Sequence, residues 1–248
     1  MSYHYLLQLT DPHICKAATG VLNGINVRKS FTAVLRQALS ESSPDYIMLT
    51  GDISDDGLRE GYHWLCKTMD ETGIKWSWLP GNHDNAAFMA DRFVREVHLG
   101  HWRLLQLNSK CPGYAHGVLT EDELAFLQMQ LQKDPVSPVL IMVHHPVCDI
   151  GSGLDKERID SEALFRLISD YHCVKAVIHG HIHQVWESDY HSIRLLGTPS
   201  TCVQFLPGSA TFCVDKKQGP GYRIFKLYDN SEFTTEVRRL QNHHFLPL

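Results

Sequence analysis

The 248-residue chain lacks several features that would restrict its use. No apolar run approaches the ~18 residues of a membrane-spanning helix, so no membrane partner is expected. Its seven cysteines, at 15, 66, 111, 148, 173, 202 and 213, form no C-x-x-C pair. An odd, scattered set reads as reduced thiols rather than a disulfide framework, which points to a cytoplasmic protein. Cys15 and Cys148 lie near candidate ligands and are read as small buried thiols, with metal binding as the alternative. The start of the chain shows no basic n-region, long apolar segment or small-residue cleavage site of a leader. A cationic surplus is missing too: 23 Lys and Arg face 28 Asp and Glu, for a net charge of −5. That balance argues against nucleic acid as a partner. A small phosphorylated ligand stays open, because a bound metal pair would supply positive charge locally. Neither an internal repeat nor a low-complexity linker divides the chain. One domain over 1–248 is expected, with 197–248 as its β-rich C-terminal part.

What the chain has is histidine, sixteen in all, and five short motifs in a fixed order. They are Asp11-Pro12-His13, Gly51-Asp52, Gly81-Asn82-His83-Asp84, His144-His145-Pro146 and Gly180-His181-Ile182-His183. Each follows a short apolar run that reads as a strand: 5–9, 46–49, 76–79, 139–143 and 174–178. Chemistry repeated at strand ends is the habit of α/β enzymes. Between the strands, 27–39, 58–69, 121–131 and 161–168 carry helical periodicity, the third with Thr120 as N-cap. The β-α-β-α-β opening predicts parallel pairing. Residues 102–107 read as a further strand, and 222–227 and 234–238 alternate like antiparallel strands. The 148–160 stretch, with Gly151-Ser152-Gly153, is the candidate mobile loop near the site.

As candidate ligands the motifs offer two Asp, one Asn and several His, the donor set of a two-metal hydrolytic centre. In an extended segment side chains at i and i+2 share a face. That predicts Asp11 beside His13, and His181 beside His183, with Pro12 holding its segment away from helix. Asp52 has two oxygens and can bridge cations ~3.5–4 Å apart. Asn82 and His144 add neutral ligands. Imidazole with carboxylate and amide oxygen suits Fe, Mn, Zn or Co, and suits Ca poorly. A lone D-x-H or G-H-x-H means little, and Gly-Asn-His-Asp could be a strand-to-helix turn capped by Asn82 or Asp84. The conjunction of motifs, order and strand-end placement is what points to a centre.

The ordered set resembles the calcineurin-like metallophosphoesterase superfamily, and most closely its bacterial class III 3′,5′-cyclic-AMP phosphodiesterases. The opening Leu7-Gln8-Leu9-Thr10-Asp11-Pro12-His13 is similar to that group's first strand. The run from Gly197-Thr198-Pro199-Ser200-Thr201-Cys202 to Phe205, with Pro220-Gly221-Tyr222-Arg223 after it, is similar to its C-terminal segment. The resemblance implies an α/β fold in which two β-sheets form a sandwich flanked by helices on both sides, four layers in the order α/β/β/α. It implies one metal held by Asp11, His13, Asp52 and His183, and a second by Asp52, Asn82, His144 and His181. The two divalent ions would be Fe or Mn, with Zn or Co as alternatives. Val147 departs from relatives, which often have a second proline there.

The activity expected is hydrolysis of 3′,5′-cyclic AMP to 5′-AMP by a hydroxide held between the metals. The phosphate would contact His13, Asp52, Asn82, His83 and His183. His83, beside Asn82 but assigned to no metal, is read as the general acid for the leaving alkoxide. Asp55 would orient that imidazole, with a turn role in Asp55-Asp56-Gly57 as the alternative. His145 is read as supporting the ligands, and His116 and His179 as structural. The alternatives are a same-fold enzyme for glycerophosphodiesters or other small phosphodiesters, and a non-catalytic metal-binding scaffold. Oligomeric state is not legible.

Overall fold

The first strand, β1 (Tyr3–Leu9), shows how the layers arise. Leu7 and Leu9 face one way and Leu6 the other, and all three are fully buried. A strand apolar on both faces has to lie between two covering layers. The computed structural model describes residues 2–240 and 245–247. The remaining ends of the expected 1–248 unit, Met1 and Leu248, and residues 241–244 lie outside the described residues.

After β1 come the short hairpin β2 (Val21–Leu22) and β3 (Ile25–Asn26), then α1 (Val27–Glu41), β4 (Tyr46–Leu49), α2 (Arg59–Asp70) and β5 (Trp76–Trp78). Helix α1 begins where the Asn26 side chain accepts the Lys29 amide, and it buries Phe31, Val34, Leu35 and Ala38. The second half runs β6 (Glu96–Leu99), β7 (Trp102–Gln106), α3 (Glu121–Lys133), β8 (Val139–Met142), α4 (Glu162–Ile168), β9 (Val174–His179), β10 (Trp186–Tyr190), β11 (Ile193–Gly197), β12 (Gly221–Tyr228) and β13 (Phe233–Arg239). Thr120 caps α3 by accepting the Glu123 amide, as its sequence predicts.

Two sheets result: β13-β12-β1-β4-β5, and β10-β11-β9-β8-β7-β6. Strands β1, β4 and β5 pair parallel, and so do β7, β8, β9 and β11. One apolar layer packs α1 and α2 on the first sheet, and another packs α3 and α4 on the second. The third lies between the sheets and holds Leu6, Met48, Trp102, Leu104, Met142 and Phe225. The four-layer α/β/β/α sandwich expected from the sequence is therefore the fold. Arg223 staples the two sheets near the same end as the motifs. It is fully buried, and it donates to Glu187 at 2.7 Å, the Gly197 carbonyl at 2.9 Å and Thr198 at 3.1 Å.

Strands β2, β3, β6, β10 and β11 were not anticipated. Strand β6 is a short edge with only Val97 and Leu99 buried. In β10, Glu187, Ser188 and Asp189 are all exposed, so hydrophobic periodicity carries no signal there. Edge strands are often polar, which protects them from pairing with other chains. Among the described residues no helix is long and apolar enough to cross a membrane.

Candidate metal centre

The parallel strands of both sheets end at one rim, and all five motifs sit just beyond them. β1 delivers Asp11 and His13, β4 Asp52, β5 Asn82 and His83, β8 His144, and β9 His181 and His183. The i, i+2 pairs do converge, but not through extended backbone. Asp11, His13, Asp52, His181 and His183 all have left-handed φ, between 48° and 65°. This corrects the extended-segment reading and the part given to Pro12. Such residues cost roughly 1–3 kcal/mol each and persist only where their surroundings hold them. Here the Asp11 amide donates to the Gly51 carbonyl at 3.1 Å and the His13 amide to the Asp52 carbonyl at 3.0 Å. The Asp11 carboxylate in turn accepts the His181 amide and the Thr10 hydroxyl. The motif glycines allow these approaches: a Cβ on Gly81 would collide with Asp52, and one on Gly180 with Thr10 and Asp11.

Four imidazoles are fixed in their tautomers by partners that can only accept. His13 Nδ1 donates to the Asp55 carboxylate at 3.1 Å, His144 Nδ1 to the Thr50 carbonyl at 2.8 Å, and His183 Nδ1 to the Val203 carbonyl at 2.8 Å. His181 is reversed, its Nε2 donating to Glu157 at 3.0 Å. The opposite nitrogen of each neutral ring is then a bare acceptor. These bare atoms face other acceptors. His13 Nε2 lies 3.2 Å from His183 Nε2 and 3.7 Å from Asp52 Oδ2, and His183 Nε2 lies 3.4 Å from Asp11 Oδ1. On the other side, His144 Nε2 is 3.4 Å from Asp52 Oδ1 and 3.2 Å from Asn82 Oδ1, and Asn82 Oδ1 is 3.1 Å from His181 Nδ1. Lone pairs converging in this way repel unless a cation lies among them. The donor set fits two cations that share Asp52, with nitrogen and oxygen ligands and no thiolate. Among the described residues no cysteine joins a metal-ligating group, and all seven thiols are free.

Protonation shows the same field. Burial pushes the carboxyls of Asp11 and Asp52 up, yet His183 beside the first and His144 beside the second hold both below the ordinary range. Burial pulls His144 down, but Asp52 and Asp11 outweigh it and lift the imidazole to about 9 when only protons can neutralise them. His183 is lowered, chiefly by burial.

His83 stands at the open edge, with its side chain 41% exposed and its ring edge-on to His13. Its amide donates to Asp52 Oδ1 at 2.9 Å, and its Nδ1 donates to the Asp55 carbonyl at 3.1 Å. Asp55 therefore touches His83 through its backbone, and its carboxylate is 3.8 Å away. The carboxylate belongs to His13, and the expectation that it orients His83 is corrected to that extent. The reason is the His13 loop, which crosses alongside through the Ile14–Ser54 bridge. His145 is buried between His144 and His181 and meets Ser109 at 2.8 Å, with its Nε2 unpartnered. His179 is packed, and burial takes it down to about 4. His116 meets the Tyr114 ring at a tilt, with centroids 5.0 Å apart, in a loop whose Gly117 packs against His145 and donates its amide to the Glu157 carbonyl at 3.1 Å.

Several contributors escaped sequence reading. Glu157 comes from the 148–160 segment, which is tied down by Asp155 accepting the Ile150 and Ser152 amides. Lys110 donates to the Asn82 carbonyl at 2.5 Å. Asp84 is buried and accepts from the amides of Ile53, Ser54 and Gly81 and from the Tyr62 hydroxyl, which locks the Asp52 and Asn82 loops together. Its place in Gly81-Asn82-His83-Asp84, where the sequence allows a cap, is the only sequence signal for it.

Comparison with known proteins places the chain in a family. The family model of calcineurin-like phosphoesterases matches residues 4–185. A 3′,5′-cyclic-nucleotide phosphodiesterase of Nostoc is 36% identical over 95% of this chain and 92% of its own. The 3′,5′-cyclic adenosine monophosphate phosphodiesterase CpdA of Haemophilus influenzae is 35% identical over 98% and 92%. A dimetal phosphatase from Danio rerio shares the fold, with a TM-score of 0.66 at 14% identity over 95% of this chain and 99% of that one. The metallophosphoesterase fold implies a dinuclear metal centre, and two acceptor sets joined through one carboxylate fit it. On the strand-end motifs, the four-layer sandwich and these matches, the chain belongs to the calcineurin-like phosphoesterase family.

Proposed function

We propose that the chain is a dinuclear metal-dependent phosphodiesterase that hydrolyses 3′,5′-cyclic AMP to 5′-AMP. The observation that carries this reading is the pair of acceptor sets joined through Asp52, in a chain aligned nearly end to end with cyclic-nucleotide phosphodiesterases. Asp11, His13, Asp52 and His183 would hold one ion, and Asp52, Asn82, His144 and His181 the other. Fe or Mn suits the nitrogen and oxygen donors. Two such ions, when bound, polarise the phosphoryl oxygens and lower the pKa of the attacking water.

The chain's own groups do the rest. Asn82 turns its Oδ1 to His144 and His181, which leaves its Nδ2 to donate to a phosphate oxygen. His83 is reachable from solvent and held through Nδ1, so its Nε2 is free for the substrate. One water is consumed: its oxygen bonds to phosphorus, the bond from phosphorus to O3′ breaks, and His83 passes its Nε2 proton to O3′. The proton that the water loses returns His83 to its acid form through solvent. Asp55 and Glu157 keep His13 and His181 in the tautomers that turn bare nitrogens inward. The free cysteines fit a reducing compartment, the cytosol.

The test is steady-state hydrolysis of cyclic AMP by metal-stripped protein reloaded with Mn or Fe, beside bis-p-nitrophenyl phosphate and p-nitrophenyl phosphate. Metal-dependent formation of 5′-AMP is the expected result. Turnover of the artificial diester without cyclic AMP would move the proposal to glycerophosphodiesters or another small diester. No turnover with both ions bound would leave a metal-binding scaffold.

A further inference from the structure

A cavity of about 270 Å³ opens beside the centre, lined by His183, Gln184, Gln204, Phe205, Asp215 and Arg239. Most of its polar atoms are already committed. Gln204 donates to the carbonyls of Ser200 and Cys202 and accepts Arg239, and Asp215 accepts the amides of Lys217 and Gln218. His183 is bonded to the Val203 carbonyl. Gln184 differs: the residue is only 4% exposed, and its Nε2 is buried without a partner. An unpaired buried amide is costly, and such groups are expected where a ligand completes the bond.

A primary amide presents a donor and an acceptor side by side, which matches the adenine edge with its amino group and adjacent ring nitrogen. Phe205 lies flat on His183, with ring centroids 4.0 Å apart and planes 8° apart, so an apolar wall runs from the centre into the cavity. In a 3′,5′-cyclic nucleotide the base hangs from the phosphate through one fused ribose, so it must lodge within a sugar's length of the metals. A cavity that shares His183 with the centre meets that condition. We infer that this cavity is the base subsite, with Gln184 reading the adenine edge. The inference rests on the cyclic-nucleotide reading of the centre.

Metal-loaded wild type, Gln184→Ala and Gln184→Glu would be compared in two assays. One is adenosine and guanosine binding by saturation-transfer NMR, which needs no turnover. The other is kcat/KM for cyclic AMP and cyclic GMP, each as a ratio to bis-p-nitrophenyl phosphate. For Gln184→Ala we expect weaker adenosine binding and a cyclic AMP ratio about tenfold lower, carried by KM. A carboxylate can accept guanine N1–H and N2–H together, so Gln184→Glu should shift preference towards cyclic GMP. Gln184→Glu keeps the side chain's size, so it carries the test should Gln184→Ala fail to fold. Unchanged ratios and unchanged adenosine binding would overturn the assignment, as would a wild type that binds no adenosine. Wild type that cleaves only the artificial diester, yet binds adenosine through Gln184, would sink the cyclic-AMP activity and leave the base subsite standing.

Discussion

Asp52→Asn bears on the centre most directly, because it changes one atom of the residue that both acceptor sets share. Oδ1 of Asp52 accepts the His83 amide at 2.9 Å and faces His144 Nε2, while Oδ2 faces His13 Nε2 at 3.7 Å. The asparagine oxygen must stay on the His83 amide, since an NH₂ there would oppose another N–H. The new NH₂ therefore lands opposite His13, in the set built with Asp11 and His183. That set loses an acceptor and gains a donor pointing to where its cation belongs. Bound Mn should fall from two ions per chain to one, read by elemental analysis after gel filtration. A metal's stabilisation of transition-state charge is worth several kcal/mol. Losing ~4 kcal/mol lowers kcat/KM for cyclic AMP about 10³-fold. Circular dichroism should be unchanged, because size and the His83 contact survive. A folded Asp52→Asn protein with two ions, or with one ion and the wild-type rate, would refute the shared-carboxylate argument.

His83→Ala should keep both metals and lose about 10²–10⁴ in kcat, most for substrates with poor leaving groups; equal losses across leaving groups would remove the acid role. Glu157→Ala frees His181 to change tautomer and should weaken the second Mn by about 10–100-fold in calorimetry of stripped protein. Glu157→Gln, which still accepts from His181, should recover most of that affinity, and equal affinity in all three proteins would contradict the positioning role. His179 is buried, and its pKa of about 4 compares with an ordinary 6.5. The unfolded chain therefore binds more protons between those values, and His179 destabilises the fold as pH drops through that window, by ~3 kcal/mol at pH 4. His179→Gln should flatten that acid limb in urea titrations of chelator-treated protein, and an identical pH slope would contradict the burial argument.

The strand ends and their cargo were legible because each rests on local pattern. Apolar runs of strand length, bounded by Gly-Asp, Gly-Asn-His-Asp or Gly-His-x-His, mark where a parallel strand stops and chemistry starts. The layering was legible only through the family resemblance, and the opposed burial of Leu6 and Leu7 shows in the structure why β1 needs a cover on each face. Strand β10 was not legible, because an exposed polar edge writes no periodicity. The backbone of the motifs was not legible either. Left-handed Asp11, His13 and His183 are held by carbonyls and carboxylates far away in sequence, against their own conformational preference.

The sequence by itself thus pointed to the family, and through that resemblance to the sandwich and the proposed ligand set, since residue type and order are enough to limit the chemistry. Tertiary structure alone decided which nitrogen each imidazole turns inward, that the Asp55 carboxylate serves His13, and that Glu157 serves His181. It also decided that Gln184 is left unpaired beside His183. Tautomer, partner and pairing depend on angstrom-scale approach between loops of different strands, and no local pattern encodes that distance.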